Sequence, residues 1–284
     1  MSGPSTVLVT GAGRGIGRAT AEAFLDAGWR VVAGVRDVDG AREAYAERPE
    51  LRIVRLDVSR PESVVEGVAA AHEHAGGALG CVVSNAGYAV FGAVEDVDLD
   101  AVREMFETNL FGAAAVLQQA LPPMREAGGG VVVFVSSIGA RISNPLLGMY
   151  HASKYGLSAL AEALALEGGP FGIRVASIEP GMVATDFPKA TRATGAVTRG
   201  EGPYVPLAAG LRAAFGHWRR NHPTSAQDVA AAVVAATLDP ACPFRVPVGD
   251  DAHLLAALRE STTDDAVWRH ELMGFLGLDW PRRP

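Results

Sequence analysis

Lysine is nearly missing from this chain: Lys154 and Lys189 stand against 23 arginines in 284 residues. Cysteine is as scarce. Cys81 and Cys242 sit in apolar surroundings with no CxxC and no cysteine-rich spacing, which excludes a disulfide framework and a thiolate zinc site. Both thiols read as structural. The seven histidines show no HExxH spacing, and His72 and His74, two positions apart, splay on a helix, so no metal is expected. No run approaches the ~18 apolar residues of a membrane span. The stretch "MSGPSTVLVT" has neither the charged start nor the apolar core of a signal peptide, and a cytoplasmic protein without a membrane partner is expected. A basic stripe is also lacking. The formal charge is −7 and the pI near 5.5, which argues against a nucleic-acid partner.

What is present is an alternation. Short β-branched runs at 6–10, 30–35, 52–56, 81–84, 131–136 and 173–178 alternate with helical periodicity at 15–27, 61–75, 99–127 and 149–167. This predicts an α/β fold, a doubly wound parallel sheet in a three-layer α/β/α arrangement, with a small C-terminal helical appendage. The length suits a single domain over 1–284. After Pro180 the character changes. Residues 186–223 read as a substrate lid with one amphipathic stripe of Leu207, Leu211, Phe215 and Trp218. "TSAQ" (224–227) has capping-box spacing and opens a helix that stops before Pro240. "FRVPV" (244–248) reads as a final strand, Pro247 favouring an edge, and 250–284 as a helical extension.

In an open parallel sheet, ligands bind beyond the carboxyl ends of the strands. Glycine, arginine, aspartate, asparagine and serine collect there. Gly11, Gly15 and Gly17 of "TGAGRGIG" follow a strand and open a helix, so backbone amides can meet a pyrophosphate at the helix's positive end; Arg14 and Ile16 lie in the same loop. At the end of the second strand, "GVRD" puts Val35 where a ribose-binding acid is usual, followed by Arg36, a planar fork suited to a phosphate. With Arg14 this favours NADP(H), while Asp37 as the ribose acid would mean NAD. The alternative for both arginines is a solvated surface charge. Asp57, with Val58 beside it, suits an adenine amino group or is a strand-end aspartate. Asn85, Ala86 and Gly87 let the chain pass beneath a cofactor or form a plain turn.

The apolar stripe of the 149–167 helix, extended backward, reaches Lys154 and Tyr150, so both face the core. Tyr155 is one position off and reads as structural. An ammonium near a desolvated phenol favours phenolate, which predicts a Tyr150 pKa lowered toward the working range. Tyr150 can then exchange a proton with a carbonyl or alcohol oxygen. Lysine suits this better than arginine because its head group is compact and can also donate to ribose hydroxyls. Ser137, ending the fifth strand, can hold the same oxygen; Ser136 points to the opposite face. Lys189 carries no such argument.

"TGAGRGIG", "NAG", Asn109, Ser137, "YHASK" (150–154) and "PGMVATD" (180–186), in this order over about residues 5–186, resemble the short-chain dehydrogenase/reductase family. The resemblance implies Tyr150 as acid/base, Lys154 as its activator and ribose anchor, Ser137 as partner of the substrate oxygen, and Asn109 as anchor of a water linking Lys154 to solvent. It also implies that Pro180, Gly181, Val183 and Thr185 lie against the nicotinamide. A homo-oligomer formed through the helices 99–127 and 149–167 follows from the same resemblance. "SNAG" departs from the commoner "NNAG". The expected activity is NADP(H)-dependent hydride transfer between nicotinamide and a carbonyl or secondary alcohol. Phe187, Tyr204, Phe215 and Trp218 either line an apolar lid for a bulky substrate or pack the appendage. An NAD-preferring alcohol dehydrogenase, a non-catalytic nucleotide-binding sensor, and a lyase or epimerase are the competing expectations.

Overall fold

The computed structural model describes residues 5–185, Phe187 and 191–278. Seven strands form one parallel sheet: β1 (Thr6–Thr10), β2 (Arg30–Val35), β3 (Leu51–Arg55), β4 (Cys81–Ser84), β6 (Gly130–Val135), β7 (Ile173–Pro180) and β9 (Arg245–Val248), in the order β3-β2-β1-β4-β6-β7-β9. The order reverses between β1 and β4, the place where an open sheet leaves a ligand crevice. β9 is an edge strand, which accommodates Pro247 without a lost ladder bond.

Alternation along the strands builds two cores. Val7, Val9, Val31 and Ala33 face α1 (Gly15–Asp26) and α8 (Ala226–Leu238), meeting Phe24 and Val233. Leu8 and Val32 face the other layer: α3 (Pro61–Ala75), α5 (Gly112–Glu126) and α6 (Gly148–Gly168), meeting Val68, Leu117 and Leu157. Each such side chain contributes roughly 1.5–3 kcal/mol by leaving water. α2 (Val38–Ala44) bridges β2 and β3.

Beyond the carboxyl edge, α7 (Val205–Asn221), α9 (Asp250–Ser261) and α10 (Asp265–Phe275) pack as a third cluster with Ile138, Ile142 and Leu146. Leu211 is buried there, with Leu207 and Phe215 against it. Trp218 stacks on Phe275 with centroids 4.3 Å apart and donates to its carbonyl at 3.3 Å. Three lid aromatics, Tyr204, Phe215 and Trp218, therefore pack the appendage. A two-stranded parallel sheet, β5 (Val90–Phe91) with β8 (Arg192–Ala193), ties the chain after residue 191 to the segment that follows Gly87.

Two expectations need correction. The capping box that opens α8 uses Ser225 and Asp228, one residue later than Thr224 and Gln227, because Thr224 is committed to the sheet edge, where its carbonyl accepts from Ala184 N at 2.8 Å. The helix 99–127 is three pieces: α4 (Leu99–Phe106), a π-turn over Glu107–Phe111, and α5. Tyr155, one position off the buried stripe of α6, is 44% exposed.

Candidate active site

The glycine loop is shaped by its own backbone. Gly11 (φ 66°) and Gly15 (φ 55°) occupy the left-handed region. Gly17 is needed for close approach: a Cβ there would lie 2.5 Å from Asn85 Nδ2 and closer still to the Gly11 carbonyl oxygen. Asn85 fastens the loop, its Nδ2 donating to the carbonyls of Thr10 (2.9 Å) and Gly11 (3.3 Å). Thr10 Oγ1 in turn accepts from Asn85 N (3.0 Å) and Ala86 N (3.1 Å). The α1 N-terminus is left open, with the exposed Arg14 at its N-cap making no side-chain cap bond. The donor-rich, left-handed loop at a helix N-terminus fits a pyrophosphate. Thr185 lies against the loop, 3.8 Å from where a Gly15 Cβ would sit.

At the end of β2, Val35 is buried and Arg36 exposed. Asp37 is the N-cap of α2 and its carboxylate accepts from Gly40 N at 3.1 Å. Asp57 also has local work: its Oδ1 accepts from Ser59 N (3.1 Å) and Ser59 Oγ (2.7 Å). Val58 is buried, its carbonyl close under Gly112 of α5.

Tyr150 (9% exposed) and Lys154 (5% exposed) both face inward from α6. Lys154 Nζ donates to the Val135 carbonyl at 3.1 Å, beside Gly87. The expected acidified phenol is not what the free protein holds. Burial pushes Tyr150 up to about 12, the facing Ser137 hydroxyl pulling the other way. Burial also lowers the Lys154 ammonium to about 8. Desolvation is the largest cause for both groups. Ser137 Oγ accepts from Gly139 N at 3.0 Å and so caps the short 3-10 turn Ile138–Ala140.

Asn109 sits in the π-turn, buried, with every side-chain atom engaged: Oδ1 accepts from Tyr88 N (3.0 Å), and Nδ2 donates to Tyr88 O (2.9 Å) and Ser153 Oγ (3.0 Å). The side chain holds the segment after Gly87, so any water it anchors would have to use its main chain. π-turns interrupt the helical ladder and recur at functional sites. Pro180 is buried; Val183 bridges to Thr224, and Thr185 Oγ1 accepts from Phe187 N at 3.2 Å. Phe187 is 39% exposed, its ring 6.0 Å from that of Tyr150. Lys189 and Asp186 lie outside the described residues.

Sequence reasoning missed His151. It is buried against the Ser137 turn, its Nδ1 3.0 Å from the Gly139 carbonyl, and burial lowers it to about 4. Its place in "YHASK" was visible, but nothing in the spacing told that Gly139 would lie under the ring. Among the described residues no helix is long and apolar enough to cross a membrane, and no group of histidine, cysteine and carboxylate side chains is arranged for a metal ion.

Comparison with known proteins bears on the same residues. The family model described as "short chain dehydrogenase" matches residues 5–196. Oxidoreductase BOA17 of Botryotinia fuckeliana is 36% identical over 182 residues, which span 63% of this chain and 66% of that protein. A short-chain dehydrogenase from Streptomyces avermitilis superposes with a TM-score of 0.82 at 32% identity, covering 99% of this chain and 100% of its own. A short chain dehydrogenase/reductase from Burkholderia phymatum, solved in complex with NAD, gives 0.75 at 25% identity over 100% of this chain and 98% of its own.

Proposed function

The chain belongs to the short-chain dehydrogenase/reductase family of oxidoreductases, and on that premise we propose that it is an NADP(H)-dependent carbonyl reductase. The observation that carries this is that Ser137 faces the buried Tyr150, while the buried Lys154 lies beside Gly87 in the same segment whose Asn85 fastens the glycine loop.

A bound nicotinamide supplies or accepts the hydride. The chain's residues do the rest. With its pKa near 12 the phenol of Tyr150 is protonated throughout the neutral range, the form that donates a proton to a carbonyl oxygen. Ser137 offers a second hydroxyl to the same oxygen as negative charge develops. Lys154, lowered to about 8, keeps its ammonium at neutral pH and presents donors toward the cleft beside Gly87. Gly11, Arg14, Gly15, Ile16 and Gly17 would hold the pyrophosphate, Asp57 and Val58 the adenine, and Asn85 to Gly87 the underside of the cofactor. Pro180, Gly181, Val183 and Thr185 would hold the nicotinamide.

The preference for NADP(H) rests on Asp37. Its carboxylate is folded back as a helix cap, and the exposed Arg36 beside it offers the planar fork that suits a 2′-phosphate. NADPH and NADH titrated against the wild type and Arg36→Asp test it: the variant should lose NADPH affinity and gain NADH. Equal affinities in the wild type contradict the assignment. The NAD held by the Burkholderia phymatum protein supports the alternative of an NAD-preferring dehydrogenase.

Phe187, exposed beside Tyr150, supports a bulky apolar ketone or aldehyde as substrate, with 186–223 as its lid. NADPH consumption over ketones, aldehydes and quinones identifies the class; turnover confined to small charged carbonyls refutes it. The same reading has the protein act in the cytoplasm as a homo-oligomer joined through α4, α5 and α6.

A further inference from the structure

Glu179 is the last residue before the Pro180–Thr185 segment and is wholly buried, at 0% exposure. Its two carboxylate oxygens accept from two arginines: Oε2 from Arg141 Nε at 2.5 Å and Oε1 from Arg245 Nη1 at 2.8 Å. Arg141 belongs to the turn that Ser137 begins, and its backbone N donates to the Ile138 carbonyl at 2.9 Å. Each arginine has a second carboxylate, Glu260 of α9 for Arg141 and Glu162 of α6 for Arg245.

A second buried carboxylate grips the same segment from the other side. Asp251, in the first turn of α9, accepts from Met182 N at 2.7 Å through Oδ2. It lies so close to Gly181 that a Cβ at that glycine would overlap its carboxylate. Segment Pro180–Thr185 is thus fixed at its start and in its middle by carboxylates, one of them bonded directly to the Ser137 turn. Buried ionic groups are a poor way to gain stability, because desolvation offsets the attraction and apolar side chains of similar volume do as well. Their placement, with Glu179 at the end of β7, Arg141 in the turn after β6 and Asp251 just after β9, gives them a geometric task instead.

We propose that Glu179, with Arg141 and Asp251, forms the positioning device that fixes the nicotinamide-facing segment against the Ser137 turn. None of the three touches the reacting atoms; they are positioning residues. The inference rests on the dinucleotide reading above and adds that the nicotinamide half of the site, unlike the adenosine half, depends on α9 of the C-terminal extension.

The test separates the two halves. Dissociation constants are measured for the reduced dinucleotide that the wild type prefers, NADPH or NADH, and for its nicotinamide-free counterpart, 2′,5′-ADP or ADP, with thermal unfolding alongside. In Glu179→Gln the amide turns an N–H toward one arginine, which then loses its acceptor. The dinucleotide should weaken by about tenfold or more while the nicotinamide-free ligand changes by less than about twofold. Arg141→Met and Asp251→Ala should show the same split, and they decide the matter if Glu179→Gln does not fold. Equal loss of both ligands in these variants, or loss of neither, overturns the inference while leaving the dinucleotide reading standing, since the wild type still binds both. A wild type that binds neither ligand refutes the dinucleotide reading itself and the inference with it.

Discussion

Replacing Gly17 with alanine puts one methyl group where the structure has no room. The new Cβ would lie 2.5 Å from Asn85 Nδ2 and nearer to the Gly11 carbonyl oxygen, both fixed by the Asn85 and Thr10 hydrogen bonds. Ordinary contact begins at about 3.5 Å, so α1 must withdraw by about 1 Å or the loop must open. Overpacking of this kind costs about 1–3 kcal/mol, which for a chain of this size is a loss of roughly 2–5 °C in melting temperature. The larger effect falls on the ligand, since the displaced element is the helix N-terminus that faces the pyrophosphate. Dinucleotide affinity should drop by about tenfold or more. Gly13→Ala is the control: its Cβ would meet only Val35 Cγ1, at 3.8 Å, an ordinary contact. Calorimetric titration with NADPH and thermal unfolding of both variants read the difference. If Gly13→Ala is as damaging as Gly17→Ala, or Gly17→Ala binds like the wild type, the steric account of the loop is wrong.

Two further outcomes follow from burial of charge. Lys154 titrates near 8 in the folded chain against about 10.5 unfolded, so below pH 8 the fold carries the full cost of the ammonium, and the cost fades as pH rises to about 10.5. Lys154→Met should therefore raise the unfolding free energy at pH 7 by up to about 3 kcal/mol, with no gain above pH 10.5, while turnover is lost; a destabilised variant at pH 7 contradicts this. His151 is lowered to about 4, so between pH 6.5 and 4 the unfolded chain takes up a proton that the folded chain refuses. Stability should fall by up to about 3 kcal/mol across that window, and denaturant titrations of His151→Gln should show a shallower fall; an unchanged slope refutes it.

The β-branched runs made six of the seven central strands legible, because a strand buried on both faces must be apolar at nearly every position. β9 was legible from Pro247 and its neighbours. α2 escaped notice: seven residues with Gly40 in the first turn carry too little periodicity. So did the two-residue strands β5 and β8, which exist through pairing across about a hundred residues. The glycine loop and the Ser137, Tyr150 and Lys154 positions were readable because local spacing places them at strand ends and on one helix stripe. Their ionisation was not, since helix position tells which way a side chain points and not how much water it keeps. The Glu179 carboxylate was invisible for a related reason. Its partners Arg141 and Arg245 are 38 and 66 residues away in sequence, and only the sheet order brings them together.

The central claim is that the Tyr150 hydroxyl carries the proton in a hydride transfer, and Tyr150→Phe tests it most directly because the ring and its packing remain. Single-turnover oxidation of bound NADPH in the presence of a carbonyl substrate should slow by about 10²- to 10⁴-fold, with NADPH affinity changed by less than about twofold. A variant that oxidises NADPH at the wild-type rate would contradict the assignment of Tyr150 as the proton donor.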